Sequence, residues 1–295
     1  YRNNCNVANL CFDIARQQEV TMPEILAAAK DYETIVFVGG ISPLYEREET
    51  SVSAPGFDKG DRTSIELPQV QRNVLKALHE AGKKIVLVNC SGSAVALTPE
   101  TETCDAIVQA WYAGEQGGTA IAEVLFGDYN PSGKLPVTFY RDDSQLPAGF
   151  DGFENYDMKA HQGRTYRYFE GRPLWAFGYG LSYTTFELGK AKWNQKTGSV
   201  ELSVKNTGKR DGTEIVQVYV KDPTDVEGPI KTLRGHARVA VKAGETAKVS
   251  IPMPRESFEL WDTKTGAMCV KGGKYLLMIG NASDDPDMQT LNIKL

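Results

Sequence analysis

Ile35-Val36-Phe37-Val38-Gly39-Gly40 is the stretch from which the fold can be worked out, because an apolar run closed by glycines is typical of a buried strand. Lys84-Ile85-Val86-Leu87-Val88-Asn89 has the same character, and Asp105–Tyr112 gives a third predicted strand. Between the first two runs, Pro68–Glu80 carries apolar residues at helical spacing, and Gly82 can end that helix. The repeated strand–helix order predicts a parallel sheet covered on both faces, which is an α/β three-layer sandwich with a mostly parallel sheet.

Two further helices are predicted in the same half of the chain. Thr21-Met22-Pro23-Glu24 fits a capping box with proline in the first turn, and the helix is expected to continue through Ala29. Thr119–Phe126 follows a predicted strand and a glycine-rich turn, and it is also expected to be helical.

The periodicity changes from about residue 186 onward, where apolar and polar residues alternate. The alternation is clearest in the short segments 200–204, 216–220, 239–241, 249–251 and 275–279. Short strands separated by turns predict an all-β sandwich of the immunoglobulin or fibronectin III-like type. The predicted organisation is an α/β domain over 1–145, a connector over 146–185 and a β-sandwich over 186–295.

Composition limits the possible partners. The 295 residues carry a formal net charge of −5 with lysine and arginine scattered, so nucleic acid is not an expected partner. No apolar run reaches the length of a membrane span. Five cysteines without CxxC spacing and three histidines without ligand spacing predict no zinc site, and no metal or organic cofactor is expected.

A long polar loop follows the first predicted strand and contains the carboxylates Glu46, Glu48 and Glu49. Loops at the carboxyl ends of parallel strands are where α/β sheets bind ligands. On an extended loop Glu46 and Glu48 would share a side, and a carboxyl crowded by another can have a raised pKa, which suits a general acid. A solvated acidic loop is the alternative interpretation.

Three other motifs have more than one interpretation. Asp61-Arg62 could clamp a carboxylate or ligand hydroxyl, or could form a structural pair that holds the loop against the helix at Pro68. The segment 114–118 lacks the G-x-G-x-x-G order of a phosphate loop, so a tight turn explains its glycines. Ser91-Gly92-Ser93 lacks the glycines of a nucleophile elbow, so a serine hydrolase is not predicted.

Several motifs follow one another along the chain: Glu46-Arg47-Glu48-Glu49, Gly60-Asp61-Arg62-Thr63, Leu67-Pro68, Trp111–Ala122, Gly127–Phe139 and Phe177–Phe186. Together they resemble glycoside hydrolase family 3. Val204–Gly208 and Val216–Val220 look like the fibronectin type III-like domain of that family. The Glu-x-Glu-Glu form of the loop is more similar to the β-xylosidase branch than to the Gly-Glu-Gly glucosidases.

The resemblance implies a retaining exo-β-glycosidase that removes xylose or glucose from a β-linked oligosaccharide, with Glu48 as general acid/base. Arg47 departs from the usual glycine, so Glu46 and Glu49 remain alternatives. Tyr45 and Arg47 would border the pocket, and Asp61-Arg62 would anchor the loop.

The family's Asp nucleophile lies on an upstream (β/α)8 barrel that these residues do not contain, so the isolated chain is expected to be inactive. The opening at Tyr1, without methionine, is expected of a fragment or a processed chain. The family analogy favours a periplasmic or secreted parent protein and allows a homodimer. A non-catalytic carbohydrate-binding or scaffolding module is the alternative function.

Overall fold

The computed structural model describes residues 3–5, 11–13, 18–42, 53–59, 61–146 and 155–295. The chain divides into two compact units. The first unit comprises Tyr1–Ile121, Phe139–Ala148 and Arg172–Leu174. The second unit comprises Ala122–Thr138, Gly149–Gly171 and Trp175–Leu295. The bounds predicted from the sequence, 1–145, 146–185 and 186–295, remain a prediction.

The first part of the chain alternates short strands with helices. Its elements are β1 (Asn3–Cys5), β2 (Cys11–Asp13), β3 (Gln18–Val20), α1 (Met22–Ala29), β4 (Thr34–Gly40), β5 (Ser53–Ala54), β6 (Phe57–Asp58), β7 (Asp61–Arg62), α2 (Gln69–Glu80), β8 (Lys84–Cys90), α3 (Glu100–Thr103), β9 (Ala106–Gln109) and α4 (Gly117–Phe126). A 3-10 turn, Asp143–Gln145, lies later in the chain. Two small antiparallel sheets join β1-β2-β3 and β5-β6-β7.

The three apolar runs form one parallel sheet with the order β4-β8-β9. In its register Gly40 lies beside Cys90, and Asn89 lies beside Gln109. The third strand is shorter than predicted: it ends at Gln109, and Trp111, two residues later, adopts a φ of 56°, outside the β region that a bulky side chain needs in a strand. The carboxyl ends of the three strands therefore meet at one edge.

Helices α1 and α2 begin and end close to their predicted bounds. At the start of α1, the Thr21 backbone N–H donates to Glu24 Oε2 at 2.8 Å, as the predicted capping box requires. Helix α2 contacts β8 and buries one face, formed by Gln71, Val74, Leu75 and Leu78. These four residues are spaced as one stripe of a helix, so the apolar pattern in the sequence correctly predicted the buried side.

The second unit is mainly antiparallel β-structure. It contains the short helix α5 (Thr165–Tyr168), a 3-10 turn at Arg255–Phe258, and the strands β10 (Phe186–Leu188), β11 (Lys192–Asn194), β12 (Ser199–Asn206), β13 (Gly212–Lys221), β14 (Thr232–Val241), β15 (Thr246–Pro252), β16 (Leu260–Asp262), β17 (Ala267–Cys269), β18 (Lys274–Gly280) and β19 (Gln289–Lys294). One sheet has the order β10-β12-β11 with β15 also paired to β12, and the other has the order β14-β13-β18-β19.

The core of this unit is built from the alternating residues of both sheets. Val200 and Val204 of β12 are fully buried, and so are Val216 and Val218 of β13. Leu277 of β18 joins the same apolar cluster. Because side chains alternate between the two faces of a strand, the period of two in the sequence identified which residues face this core.

Candidate active site

The edge where β4, β8 and β9 end is the candidate active site, and its first feature is the turn by which the chain leaves β4. Gly40 has a φ of +117°, and a Cβ added there would clash with the carbonyl oxygen of Cys90. The Ile41 N–H donates to that same oxygen at 2.8 Å. A side chain at position 40 would therefore prevent the close approach of the two strand ends.

Gln71 of α2 holds the last residue of β4 from the helix side. The Gly40 N–H donates to Gln71 Oε1 at 2.8 Å, and Gln71 Nε2 donates to the Gly40 carbonyl oxygen at 2.7 Å. Gln71 is only 1% exposed. One side-chain amide thus satisfies both backbone groups of the residue at which the polar loop begins.

The segment after β9 reaches the same turn. The Tyr112 hydroxyl donates to the Ile41 carbonyl oxygen at 2.6 Å. The preceding Trp111 has a positive φ and packs edge-on against the buried Phe139, with ring centroids 6.0 Å apart. Positive φ is costly for a bulky residue, and such strain is concentrated at functional sites.

A buried polar cluster lies between the ends of β8 and β9. Asn89 Nδ2 donates to Gln109 Oε1 at 2.7 Å and to Ser91 Oγ at 3.1 Å. The Ser91 hydroxyl donates in turn to the Ser93 carbonyl oxygen at 2.8 Å. Ser91 is fully buried and bonded in this way, so its contacts are those of a structural hydroxyl. Burial also raises the pKa of the neighbouring Cys90 thiol, which favours its neutral form.

The far end of the polar loop is fixed by Arg62 and Asp143. Arg62 Nε donates to the Ser64 carbonyl oxygen at 3.1 Å, and its Nη1 donates to Ser93 Oγ at 2.9 Å. Asp143 accepts from Ser64 Oγ and from the Ile65 N–H, both at 2.7 Å. The hydrogen bond from Arg62 to Ser93 leads to the segment after β8, and the two roles suggested for Asp61-Arg62 remain predictions. Asp61 is exposed on β7.

An ion-pair network stabilises the helix that carries Gln71. The Arg72 guanidinium lies 2.5 Å from Glu66 and 2.9 Å from Glu100, and Arg72 Nη2 donates to the Ala96 carbonyl oxygen at 3.0 Å. Glu100 is 1% exposed. Burial raises the pKa of its carboxyl, and the Arg72 hydrogen bond and charge partly offset that rise.

Comparison with known families matches residues 9–183 to the glycosyl hydrolase family 3 C-terminal domain. The chain belongs to glycosyl hydrolase family 3. Residues 214–283 match a fibronectin type III-like domain. Both findings confirm the family resemblance found in the sequence, and the second supports a fibronectin III-like unit at the end of the chain.

Relatives and solved structures agree with this assignment to family 3. A xylan 1,4-β-xylosidase from Xylanibacter ruminicola is 52% identical over 98% of the chain, and a periplasmic β-glucosidase from Salmonella typhimurium is 38% identical over 90%. The crystal structure of a β-glucosidase from Erythrobacter marinus superposes with a TM-score of 0.75 at 35% identity, covering 93% of the chain and 36% of that protein. The chain spans 33% and 35% of the lengths of the two curated relatives.

The residues predicted for glycosidase family 3 chemistry are only partly covered by the structure. Tyr45, Glu46, Arg47, Glu48 and Glu49 lie outside the described residues, so their assigned roles remain predictions. What the structure adds is the surroundings of the two ends of their loop, from Ile41 on one side to Arg62 on the other.

Sequence reasoning missed Gln71, although the sequence contains a signal for it. A glutamine sits on the buried stripe of α2, one turn before Val74 and Leu75, at a position where the helical spacing predicts an apolar residue. A polar residue on a buried helical stripe needs a hydrogen-bond partner, and this one binds Gly40. The strained Trp111 had no comparable signal, because nothing in a sequence reports the φ of a tryptophan.

Other features of the described chain can be compared with this edge as places for a site. Within the residues that the structure describes, no group of His, Cys, Asp and Glu side chains could hold a metal ion, and no helix is long and apolar enough to cross a membrane. The second unit has a shallow groove of about 540 Å³ that includes Tyr129, Asp211 and Arg238. The groove carries charges of both signs and lies away from the ends of the parallel strands in sequence, so we place the candidate site at the parallel sheet.

Proposed function

We propose that this chain is the C-terminal part of a retaining exo-β-glycosidase of family 3 that removes terminal β-linked xylose. The observation that carries the proposal is a sequence segment with three carboxylates, Glu46, Glu48 and Glu49, that follows β4 in a chain 52% identical to a xylan 1,4-β-xylosidase. The names of several other relatives, which are β-glucosidases, support β-linked glucose as the second candidate sugar.

Glu48 is the proposed general acid/base. In the first step it donates a proton to the glycosidic oxygen while an aspartate nucleophile attacks the sugar, and in the second it removes a proton from water. Retaining hydrolysis requires the two carboxyl groups to be about 5–5.5 Å apart. The nucleophile is proposed to lie on a barrel domain of the same parent protein, so the isolated chain is inactive.

Several properties of the whole protein are proposed on the same basis. The sheet β4-β8-β9 is proposed to be part of a three-layer sandwich with a mostly parallel sheet, and Tyr45 and Arg47 to border the pocket. A periplasmic or secreted location is proposed from the name of the Salmonella relative. Arg62 is proposed as an anchor of the loop, since its hydrogen bonds go to Ser64 and Ser93.

Glu48→Gln in the full-length protein tests the proposed role. The kcat/KM for β-1,4-xylobiose should fall by about 10²–10⁴-fold, because its leaving group needs a proton. The kcat/KM for 2,4-dinitrophenyl β-xyloside should hardly change, because that leaving group departs unprotonated. Added azide should restore turnover of the aryl glycoside and give β-xylosyl azide, since an anion can attack the glycosyl-enzyme without a general base.

Glu46→Gln and Glu49→Gln are the matched controls, because they remove a carboxylate from the same loop. If one of them shows the loss and the azide rescue while Glu48→Gln behaves like wild type, the acid/base has been assigned to the wrong glutamate. If the wild-type protein is inert on a panel of β-xylosides and β-glucosides, the enzyme proposal fails and a non-catalytic binding module takes its place.

A further inference from the structure

We propose that Gln71 is a positioning residue for the general acid/base, acting through Gly40 at the point where the catalytic loop begins. The inference rests on the proposed function, since it concerns the same loop. Gln71 itself lies on α2 and need not touch the substrate. Its effect on the reaction would come from fixing the direction in which the chain leaves β4.

The bonding pattern at Gly40 is specific for an amide side chain. Gln71 supplies an acceptor to the Gly40 N–H at 2.8 Å and a donor to the Gly40 carbonyl at 2.7 Å. A neutral amide offers both functions at one planar group, whereas a carboxylate offers acceptors alone and an apolar side chain offers neither. Losing the amide would leave two partly buried backbone groups without these partners, and unpaired groups away from water cost free energy.

The amide is attached to a rigid support. Val74, Leu75 and Leu78 of α2 are 1–3% exposed, and the adjacent Arg72 is held by Glu66 and Glu100. Because the helix is packed in this way, Gln71 has a fixed position, and its hydrogen bonds fix Gly40 at the start of the turn. Sites supported by packed helices hold their geometry better than sites supported by loops alone.

The neighbouring strand ends leave the turn little other freedom. Ile41 is 2% exposed, its N–H is bound to the Cys90 carbonyl, and its carbonyl accepts from Tyr112. Gln71 and Tyr112 thus hold consecutive residues, Gly40 and Ile41, just before the chain continues to the carboxylates. Loss of either contact would let the loop start in a different direction.

A misdirected loop should affect proton transfer more than any other step. A displacement of about 1 Å in a catalytic group can cost roughly 10²-fold in rate. That cost applies where the general acid works, on substrates whose leaving group must be protonated. A general loss of folded protein would instead lower activity equally on all substrates, and this difference separates positioning from mere stability.

The test compares Gln71→Met with Gln69→Met in the full-length protein. Methionine keeps the length of the side chain and removes both hydrogen bonds to Gly40. Gln69 is on the same helix, but it is exposed and its amide binds Asn73 at 2.9 Å. Each variant is assayed for kcat/KM on xylobiose and on 2,4-dinitrophenyl β-xyloside.

Gln71→Met should lower kcat/KM for xylobiose by about tenfold or more while leaving the aryl glycoside within about twofold of wild type. Gln69→Met should leave both unchanged. Equal losses on the two substrates, or no loss on xylobiose, would overturn the inference. Glu48→Gln is assayed beside them. If Glu48→Gln lacks the leaving-group dependence, the assignment of the acid/base to Glu48 fails, and if the wild-type protein is inert, the proposed function fails. If Glu48→Gln shows the dependence while Gln71→Met does not, only the positioning role of Gln71 fails.

Gln71→Glu keeps the test decisive if the methionine variant does not fold. A protonated glutamic acid supplies one donor and one acceptor, as glutamine does, and burial raises the pKa of such a carboxyl. The variant should approach the wild-type ratio of xylobiose to aryl-glycoside activity at low pH and lose it as the pH rises. A ratio that follows the wild-type pH profile throughout would overturn the inference.

Discussion

The carboxyl edge of the parallel sheet and the interior of the β-sandwich are both buried, but they are built from different residues. At the sheet edge the fully buried side chains include Gln71, Asn89 and Ser91, each hydrogen-bonded to a neighbour. The apolar core cluster of the sandwich consists of aliphatic residues, methionine and aromatic rings, and the polar side chains that this unit also buries, among them Asn206 and Gln217, are hydrogen-bonded beside it. Burying polar groups is unfavourable unless every group is paired, whereas apolar burial stabilises without such conditions.

This difference indicates that the sheet edge contains buried polar groups, which stabilise less than apolar ones, because its function requires a fixed backbone geometry. A polar interior fixes backbone groups in one geometry, because a hydrogen bond has a direction and an apolar contact does not. The sheet edge uses this property to orient the chain at Gly40 and Ile41. The apolar cluster of the sandwich has no such requirement, because close packing of its side chains depends on their volume and shape.

Arg72→Met should be the most destabilising change. It leaves the Glu100 carboxylate, 1% exposed, without its cation, and breaking a buried pair in this way costs about 3–5 kcal/mol of unfolding free energy. The loss can be measured by urea or guanidinium unfolding at fixed pH. Lys76→Met is the control, because its pair with Glu80 on the same helix spans 3.8 Å between exposed groups and should contribute less than about 1 kcal/mol.

The same variant should show a defined pH dependence. Burial raises the pKa of Glu100 above its ordinary value of 4.5, and removing Arg72 takes away the interaction that limits the rise. The folded state then binds a proton more readily than the unfolded state, so the stability of the variant should fall as the pH rises above 4.5. Its deficit relative to wild type should shrink on acidification, and a deficit that grew instead would contradict the proposed role of Arg72.

Sequence periodicity predicted most of the framework and little of the polar edge. The apolar runs ending at Gly40 and Asn89 form adjacent parallel strands, but β4 was predicted to be buried and its Val36 and Val38 are 50% and 64% exposed. The alternation in 200–204 forms a core strand, because burial of one face imposes a period of two on the sequence. The pairing of Gln71 with Gly40 joins residues far apart in the chain through one amide. The place of Gln71 on the buried stripe indicates that it needs a partner, but no local pattern identifies Gly40 as that partner, since the contact depends on how α2 packs against the sheet.

Leu277→Ala should be the next largest effect, and it tests the sandwich half of the comparison. Leu277 is fully buried in β18 and pairs with Leu291 and Val220 on the adjacent strands. Truncation leaves a cavity and should lower the unfolding free energy by about 2–5 kcal/mol. Val226→Ala, at a side chain 82% exposed, should change it by less than about 0.5 kcal/mol.

The kinetic readout of Leu277→Ala matters more than its stability. If the sandwich serves as scaffold, activity per folded molecule should be unchanged, and xylobiose and the aryl glycoside should respond alike. A leaving-group-dependent loss in Leu277→Ala would show that the apolar core also positions the acid/base. The distinction between a sheet edge that orients the chain and a sandwich core that only stabilises the fold would then be wrong.

Gly40→Ala should destabilise the protein less than Arg72→Met and Leu277→Ala do, but it should have a large effect on catalysis. Gly40 combines a φ of +117° with close contact to the Cys90 carbonyl, so alanine adds backbone strain of about 1–3 kcal/mol and a clash that must be relieved by moving the turn. Gly82→Ala is the matched control, because Gly82 has a φ of +75° and its new methyl group would meet open space, so that only the backbone strain remains. Both variants should unfold at lower denaturant concentration, but Gly40→Ala alone should lose activity on xylobiose preferentially. If the two variants differ in neither stability nor leaving-group dependence, the close approach of β4 to Cys90 has no part in directing the loop.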